Sequence, residues 1–401
     1  MKRRELLKRL GILGSLGYTE FALSEQYRFR REKYGFPDYP YWNAVGDWLQ
    51  SSYSVASFSG SYEKILPFNR IINKNNSDEI NINLVDDIKY GFNSKLNDYF
   101  YKKPATSILI CKNNNLIYEK YGFDRNESMR LFSWSMAKSI TGILLGICID
   151  KGLIDSYDDE ARKYLPNLAN SYHGTITLRN LTNMSSGADI LHDRDNPKIY
   201  PQAFLSRTAN INNVVTEWNK SKEKQGSSFN YNELCPLTIG MVIREVTKQS
   251  LSDFATENLW SKIGATSEAT WLTDSTKSEF NCIGFGATAR DWCKLGMVIS
   301  NKGKIKNNQI VSENWIREMT SWSDKDKQVT FGKSAKETGY KCFLWHYRKD
   351  GTLPCFLGHG GQRLFIDLRT NTILLHTAVD NLIDYDSELI SVIESSGKIN
   401  S

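Results

Sequence analysis

Ser135 and Lys138 stand three residues apart at the head of an apolar run, a spacing that can turn a hydroxyl into a nucleophile. On a helix, positions i and i+3 share a face, so an amine at Lys138 reaches the Ser135 hydroxyl. Serine attacks a carbonyl only when a base removes its proton, and lysine is such a base only if burial or a positive neighbour lowers its pKa. The first turn of a helix adds unpaired N–H groups and the positive end of the dipole, which favour developing negative charge. The chemistry implied is acyl transfer through a covalent serine intermediate. By itself the spacing has little specificity, since it recurs at Ser61 to Lys64 and Ser221 to Lys224. Only the pair at 135 opens a long apolar helix, and Phe132 and Trp134 are placed to wall a pocket beside it.

The elements around this pair can be read from periodicity. Ile140, Ile143, Leu144, Ile147 and Cys148 recur at three- and four-residue intervals, which predicts a helix buried on one face and ended by Gly152. Ahead of it, residues 106–111 and 116–121 flank Asn113-Asn114-Asn115, a hairpin signal. Residues 158–165 and 175–184 read as short helices, the second stopped by Ser185-Ser186-Gly187. Residues 190–225 read as polar loop, and 235–247 and 251–263 as helices. Thr288 is a predicted N-cap for a helix running through Met297. Strand-like runs at 341–347, 355–357, 364–368 and 373–378 precede a closing amphipathic helix at 387–395. Strands at both ends around a helical middle predict an α+β fold, with an α/β lobe from residues 101–134 and 280–401 and a helical lobe from 135–279. Residues 31–100 are expected to be an extension packed on this domain, with Trp42 and Trp48 as its apolar anchors. Within it, Tyr41-Trp42-Asn43 has no supporting context as a catalytic motif.

Composition removes several alternatives. The 401 residues are 40% hydrophobic and 12% aromatic, enough for a large folded core. The net charge of +6 is spread along the chain and implies no nucleic-acid partner; the basic and aromatic run at 27–34 reads as a solvated lead-in. Seven cysteines form no Cys-x-x-Cys and five histidines lie far apart, so neither a metal nor a cofactor is implied. No run of about 18 apolar residues predicts a spanning helix. Residues 1–30 begin with a basic stretch in which Arg3-Arg4 resembles a twin-arginine signal, and Ala22-Leu23-Ser24 resembles a cleavage site. This favours export over an amphipathic N-terminal helix, although Glu20 and the glycines interrupt the apolar part.

The ordered set Ser135-Met136-Ala137-Lys138, Met184-Ser185-Ser186-Gly187, Tyr231, Ala287-Thr288-Ala289-Arg290-Asp291-Trp292 and Gly358-His359-Gly360-Gly361-Gln362 resembles the serine hydrolases related to class C β-lactamases and D-alanyl-D-alanine carboxypeptidases. Within them it is most similar to 6-aminohexanoate-dimer hydrolases and esterases. The resemblance spans roughly residues 100–395 and implies a β-lactamase/penicillin-binding-protein-like fold, an antiparallel sheet with flanking helices plus a mostly helical lobe. It implies that Ser135 forms an acyl-enzyme on a small ester, amide or peptide-like substrate. Lys138 and Tyr231 would share the base role, each lowering the other's pKa, because a tyrosine alone titrates near pH 10. The backbone N–H groups of Ser135 and Gln362 would hold the oxyanion.

Two positions depart from the family pattern. His359 replaces the usual lysine, so a substrate carboxylate, and with it β-lactam recognition, loses an anchor. Glu233 replaces asparagine and is expected to face substrate and favour a cationic amine end. Gly360 and Gly361 are expected to admit substrate close to the backbone. Arg290 is expected in a buried ion pair, and Ser185 and Ser186 in a helix-ending turn. Two competing readings use the same residues: a non-catalytic binding or sensor protein on this fold, and a true β-lactamase or D-alanyl carboxypeptidase. A Ser-His-Asp hydrolase built on His359 lacks a Gly-x-Ser-x-Gly elbow.

Overall fold

The computed structural model describes residues 69–399 apart from 75–76, 123–124, 201, 204–207, 336 and 379–383. The candidate export signal, the Trp42 and Trp48 anchors, Tyr41-Trp42-Asn43 and the Ser61 to Lys64 spacing lie outside the described residues.

The chain enters with β1 (Asn69–Ile72), β2 (Asn81–Ile82) and α1 (Leu96–Lys102), and then forms the predicted hairpin, β3 (Ala105–Lys112) and β4 (Asn115–Tyr121). Asn113 and Asn114 take φ of 49° and 67°, the left-handed pair that a two-residue turn matching strand twist requires. After β5 (Arg130–Phe132) comes the central helix α2 (Met136–Asp150), buried all round apart from its last turn. The helical lobe follows, with α3 (Leu178–Thr182), α4 (His192–Tyr200), α5 (Ile211–Glu217) and α6 (Leu234–Thr247). The chain returns through β6 (Ala269–Leu272), β7 (Phe285–Thr288) and α7 (Ala289–Ser300), then through β8 (Gly339–Lys341), β9 (Leu344–His346), β10 (Pro354–Gly358), β11 (Gln362–Asp367), β12 (Thr372–Ala378) and α8 (Asp386–Ser396).

The main sheet has eight strands in the order β8-β9-β10-β11-β12-β3-β4-β2. Its pairings are antiparallel except at the edge, where β2 runs parallel to β4. Side chains alternate between the two faces. Leu109, Cys111, Leu364, Ile366 and Ile373 pack toward α2 and α7, while Ile108, Ile110, Phe365 and Leu374 pack toward α1 and α8. A second sheet of four strands, β1-β6-β7-β5, ties β1 to the helical lobe through pairing of Asn69–Ile72 with Ala269–Leu272. Thr288 caps α7 by accepting a hydrogen bond from Asp291 N.

Residues 190–225 are not one loop. They contain α4 and α5, which bury only a few apolar side chains, such as Ile199, Tyr200, Val214 and Val215, among polar ones. Pro197 lies inside α4, so both polarity and proline masked it in the sequence. The predicted strand at 341–347 is a hairpin, β8 and β9, reversed at Cys342 and Phe343, which have φ of 47° and 62°. All seven cysteines are buried free thiols.

Candidate active site

Ser135 is the residue before the first turn of α2, where its side chain caps nothing and is left available. Its position is set by Ser133, whose hydroxyl donates to Ile283 O (2.8 Å) and accepts from Phe285 N (3.1 Å), stitching the loop to the start of β7. Between them Trp134 adopts φ of 46°, a left-handed conformation that costs on the order of 1 kcal/mol or more for a bulky residue and is held by packing. Trp134 is only 2% exposed and meets Phe132 and His359 edge-on at 5.3 Å each. It therefore does not wall an open pocket, as the sequence implied; it backs His359.

Lys138 lies one turn along α2 and is 1% exposed. Its Nζ donates to Ser135 Oγ at 2.9 Å and to Cys282 O at 2.9 Å, and sits 5.0 Å from the centre of the Tyr231 ring. The Tyr231 phenol is close enough to Ser135 and Lys138 for both to act on its titration. The structure thus brings the three predicted catalytic side chains together. Tyr231 is carried by the segment that starts α6, where Asn232 Oδ1 accepts from Leu234 N and Cys235 N and fixes the chain's entry into the helix. Around its ring stand Trp345, stacked at 5.9 Å, Tyr340 at 6.0 Å and Phe229 at 6.4 Å.

Glu233 corrects the sequence reading. Its side chain is fully buried, with Oε2 2.7 Å from Lys138 Nζ and Oε1 accepting from Tyr200 OH at 3.0 Å. A carboxylate already neutralised in this way cannot select a cationic substrate end. Burial disfavours the charged form of both partners, but each outweighs it for the other: the ammonium is held above its ordinary pKa and the carboxyl below the usual range. The expectation that Tyr231 leaves Lys138 with a lowered pKa is corrected by the same contact. Burial pushes the Tyr231 phenol up, and Lys138 pulls it back only in part.

His359, Gly360 and Gly361 form a tight turn between β10 and β11. Burial lowers His359 to about 4, so the imidazole is neutral near pH 7 and offers no charge to a carboxylate. Gly360 and Gly361 have φ of 74° and 89°, and a Cβ on Gly361 would lie 2.7 Å from the Tyr385 ring and 2.8 Å from Ala378 Cβ. Both glycines are buried, and their positive φ values are what the turn requires. Gln362 turns its amide inward, donating to the carbonyls of His359, Gly360 and Ala378. Arg363 braces the turn from the other side, bonding Gly358 O (2.7 Å) and Asp386 (2.6 Å). A Cβ on Gly358 would lie 2.3 Å from Ser133 O, so the turn sits directly against the nucleophile loop.

His192 was missed. It opens α4, lies edge-on to Tyr231 at 5.3 Å, and places Nδ1 3.6 Å from Glu233 Oε1. Its side chain is 40% exposed, and burial lowers its pKa. Only the spacing of His192 and Asn196, whose side chains hydrogen-bond at 2.8 Å, hinted at it. Ser185 and Ser186 are buried in the turn after α3, as expected. Arg290 makes a two-point contact with Glu119, at 2.9 and 2.7 Å, and is partly exposed. Among the described residues no cluster of His, Cys, Asp or Glu could hold a metal ion, and no helix is long and apolar enough to cross a membrane.

The mixed sheet, its flanking helices and the helical lobe are a β-lactamase/penicillin-binding-protein-like fold. The chain belongs to the Beta-lactamase family, whose model matches residues 97–378. It is 22% identical over 279 residues to 6-aminohexanoate-dimer hydrolase of Paenarthrobacter ureafaciens, covering 67% of this chain and 71% of that one. Among solved structures, a protein of Bacillus anthracis proposed to be a 6-aminohexanoate-dimer hydrolase superposes with a TM-score of 0.75 at 23% identity, over 88% of this chain and 95% of that one. A family VIII carboxylesterase gives a TM-score of 0.59 at 16% identity, over 75% and 93% of the two chains.

Proposed function

We propose that this protein is a serine hydrolase that forms an acyl-enzyme on a small ester or amide. The observation that carries the reading is the hydrogen bond from Lys138 Nζ to Ser135 Oγ at 2.9 Å, with the Tyr231 ring centred 5.0 Å from the same Nζ. Once the Tyr231 and Lys138 pair has released one proton to solvent, Ser135 Oγ bonds to the substrate carbonyl carbon while its proton passes into that pair. The carbonyl oxygen takes the displaced electron pair and is held by the backbone N–H groups of Ser135 and Gln362, each such donor contributing about 3 kcal/mol to the transition state. As the tetrahedral centre collapses, the bond to the leaving group breaks and that group takes the proton from the pair. Water then attacks the ester of Ser135, returns a proton by the same route and releases the acid.

The neutral His359 and the pairing of Glu233 with Lys138 support an uncharged acyl substrate over one selected by a terminal charge. The names of relatives and neighbours, a 6-aminohexanoate-dimer hydrolase and a carboxylesterase, support an amide or ester bond as the one cleaved. A fluorophosphonate probe is expected to label the folded protein at Ser135 and to fail on Ser135→Ala. Absence of labelling on the folded wild type would overturn the reading and leave a binding protein. A panel of p-nitrophenyl esters, short linear amides, D-alanyl peptides and nitrocefin then ranks the substrates, with esters and linear amides expected ahead of nitrocefin.

A further inference from the structure

We propose that Glu233 is a positioning residue that clamps Lys138 as an ammonium and thereby sets the pH at which the Ser135 centre becomes nucleophilic. The inference rests on the serine hydrolase reading and assigns a function to a residue that takes no part in its catalytic steps. The geometry is that of a closed, two-sided clamp. Oε2 of Glu233 is 2.7 Å from Lys138 Nζ, and the same ammonium donates to Ser135 Oγ at 2.9 Å. The carboxylate thus lies one atom behind the nucleophile's partner, in a position no solvent reaches. The other oxygen is fixed by the hydroxyl of Tyr200 at the end of α4, while His192 at the start of α4 approaches it at 3.6 Å.

The charged and titratable groups facing this carboxylate come from every element packed on it. Lys138 approaches from α2, and Tyr200 and His192 from α4. Tyr231 precedes it in the chain, and Cys235 lies in the first turn of α6. Cys282 comes from the loop before β7, and Tyr340 from β8. Lys138 is the only full positive charge in this set, because burial keeps His192 neutral near pH 7. A buried negative charge next to a pair that must release a proton makes that release harder, whichever of Lys138 and Tyr231 gives it up. Glu233 raises both. Its removal therefore favours the deprotonated pair, and the centre should activate at lower pH.

The test is the rate of fluorophosphonate labelling as a function of pH, which needs no knowledge of the natural substrate. In Glu233→Gln the acid limb of the profile is expected to move down by at least about one pH unit. At a pH one unit below the wild-type limb, the labelling rate relative to its own plateau should rise several-fold. Glu233→Asp, which keeps the charge but draws it back by one methylene, should give a limb between the two. Loss of plateau rate with an unmoved limb would mean that Glu233 is merely structural and would overturn the proposal. If Glu233→Gln does not fold, the Glu233→Asp limb decides: a profile coincident with wild type overturns it. Labelling of the wild type that is lost in Ser135→Ala keeps the hydrolase reading intact whichever way these limbs fall, and a wild type that never labels ends both.

Discussion

At the scale of single residues, the centre is an ion pair with a nucleophile attached. Lys138 and Glu233 are both desolvated, so the pair is worth little on balance, but either partner left alone would be a bare buried charge. Lys138→Ala should abolish labelling and also destabilise the fold by about 3–5 kcal/mol. Adding Glu233→Gln to it should restore most of that stability and none of the labelling. Urea unfolding of the two single variants and the double variant measures the coupling, and additive losses would contradict it. Ser135, Lys138 and Tyr231 could be named from the sequence because spacing and order are retained in one dimension. The direction of Glu233 could not, since a side chain at a helix start can turn outward to substrate or inward beneath its neighbour, and only the packing of α2 against α6 decides. His192 escaped for a related reason: its partners Tyr231 and Glu233 are distant in sequence, and no motif marks His192 itself.

At the scale of elements, the turn at 359–361 is the part least tolerant of change. Gly361→Ala must accommodate both φ of 89° and a contact of 2.7 Å with Tyr385, and should cost about 2–4 kcal/mol while slowing labelling through displacement of Gln362. Gly152→Ala is the control: φ is 69°, but nothing lies within 4 Å of the new Cβ, so a loss of about 1 kcal/mol with unchanged labelling is expected. Denaturant midpoints and labelling rates separate the two effects. Elements with one strong signal were legible, such as α2 with its continuous apolar face, the Asn113-Asn114 turn and the Thr288 cap. Helices α4 and α5 were not, because they are short, polar and stabilised by what they pack on rather than by their own pattern.

Across the whole molecule, burial dominates the response to acid. His173, His346 and His376 are fully buried, and burial lowers them to about 4, 4 and 3, against an ordinary value of 6.5. The unfolded chain therefore binds protons at pH values where the native protein does not. Stability should be at full strength above pH 6.5 and fall progressively from there toward pH 4, each histidine withdrawing up to about 3 kcal/mol. Thermal melts between pH 7.5 and 4.5 should show a steep decline, and a flat profile would refute it.

The reactive centre draws on the loop before α2, the start of α6, the approach to β7 and the hairpin of β10 and β11, segments that lie far apart in the sequence. Translation must therefore pass residue 362 before these pieces can meet. A nascent chain short of that residue has the Ser135 and Lys138 helix but not the turn that backs it, so the site assembles only as a late event of synthesis.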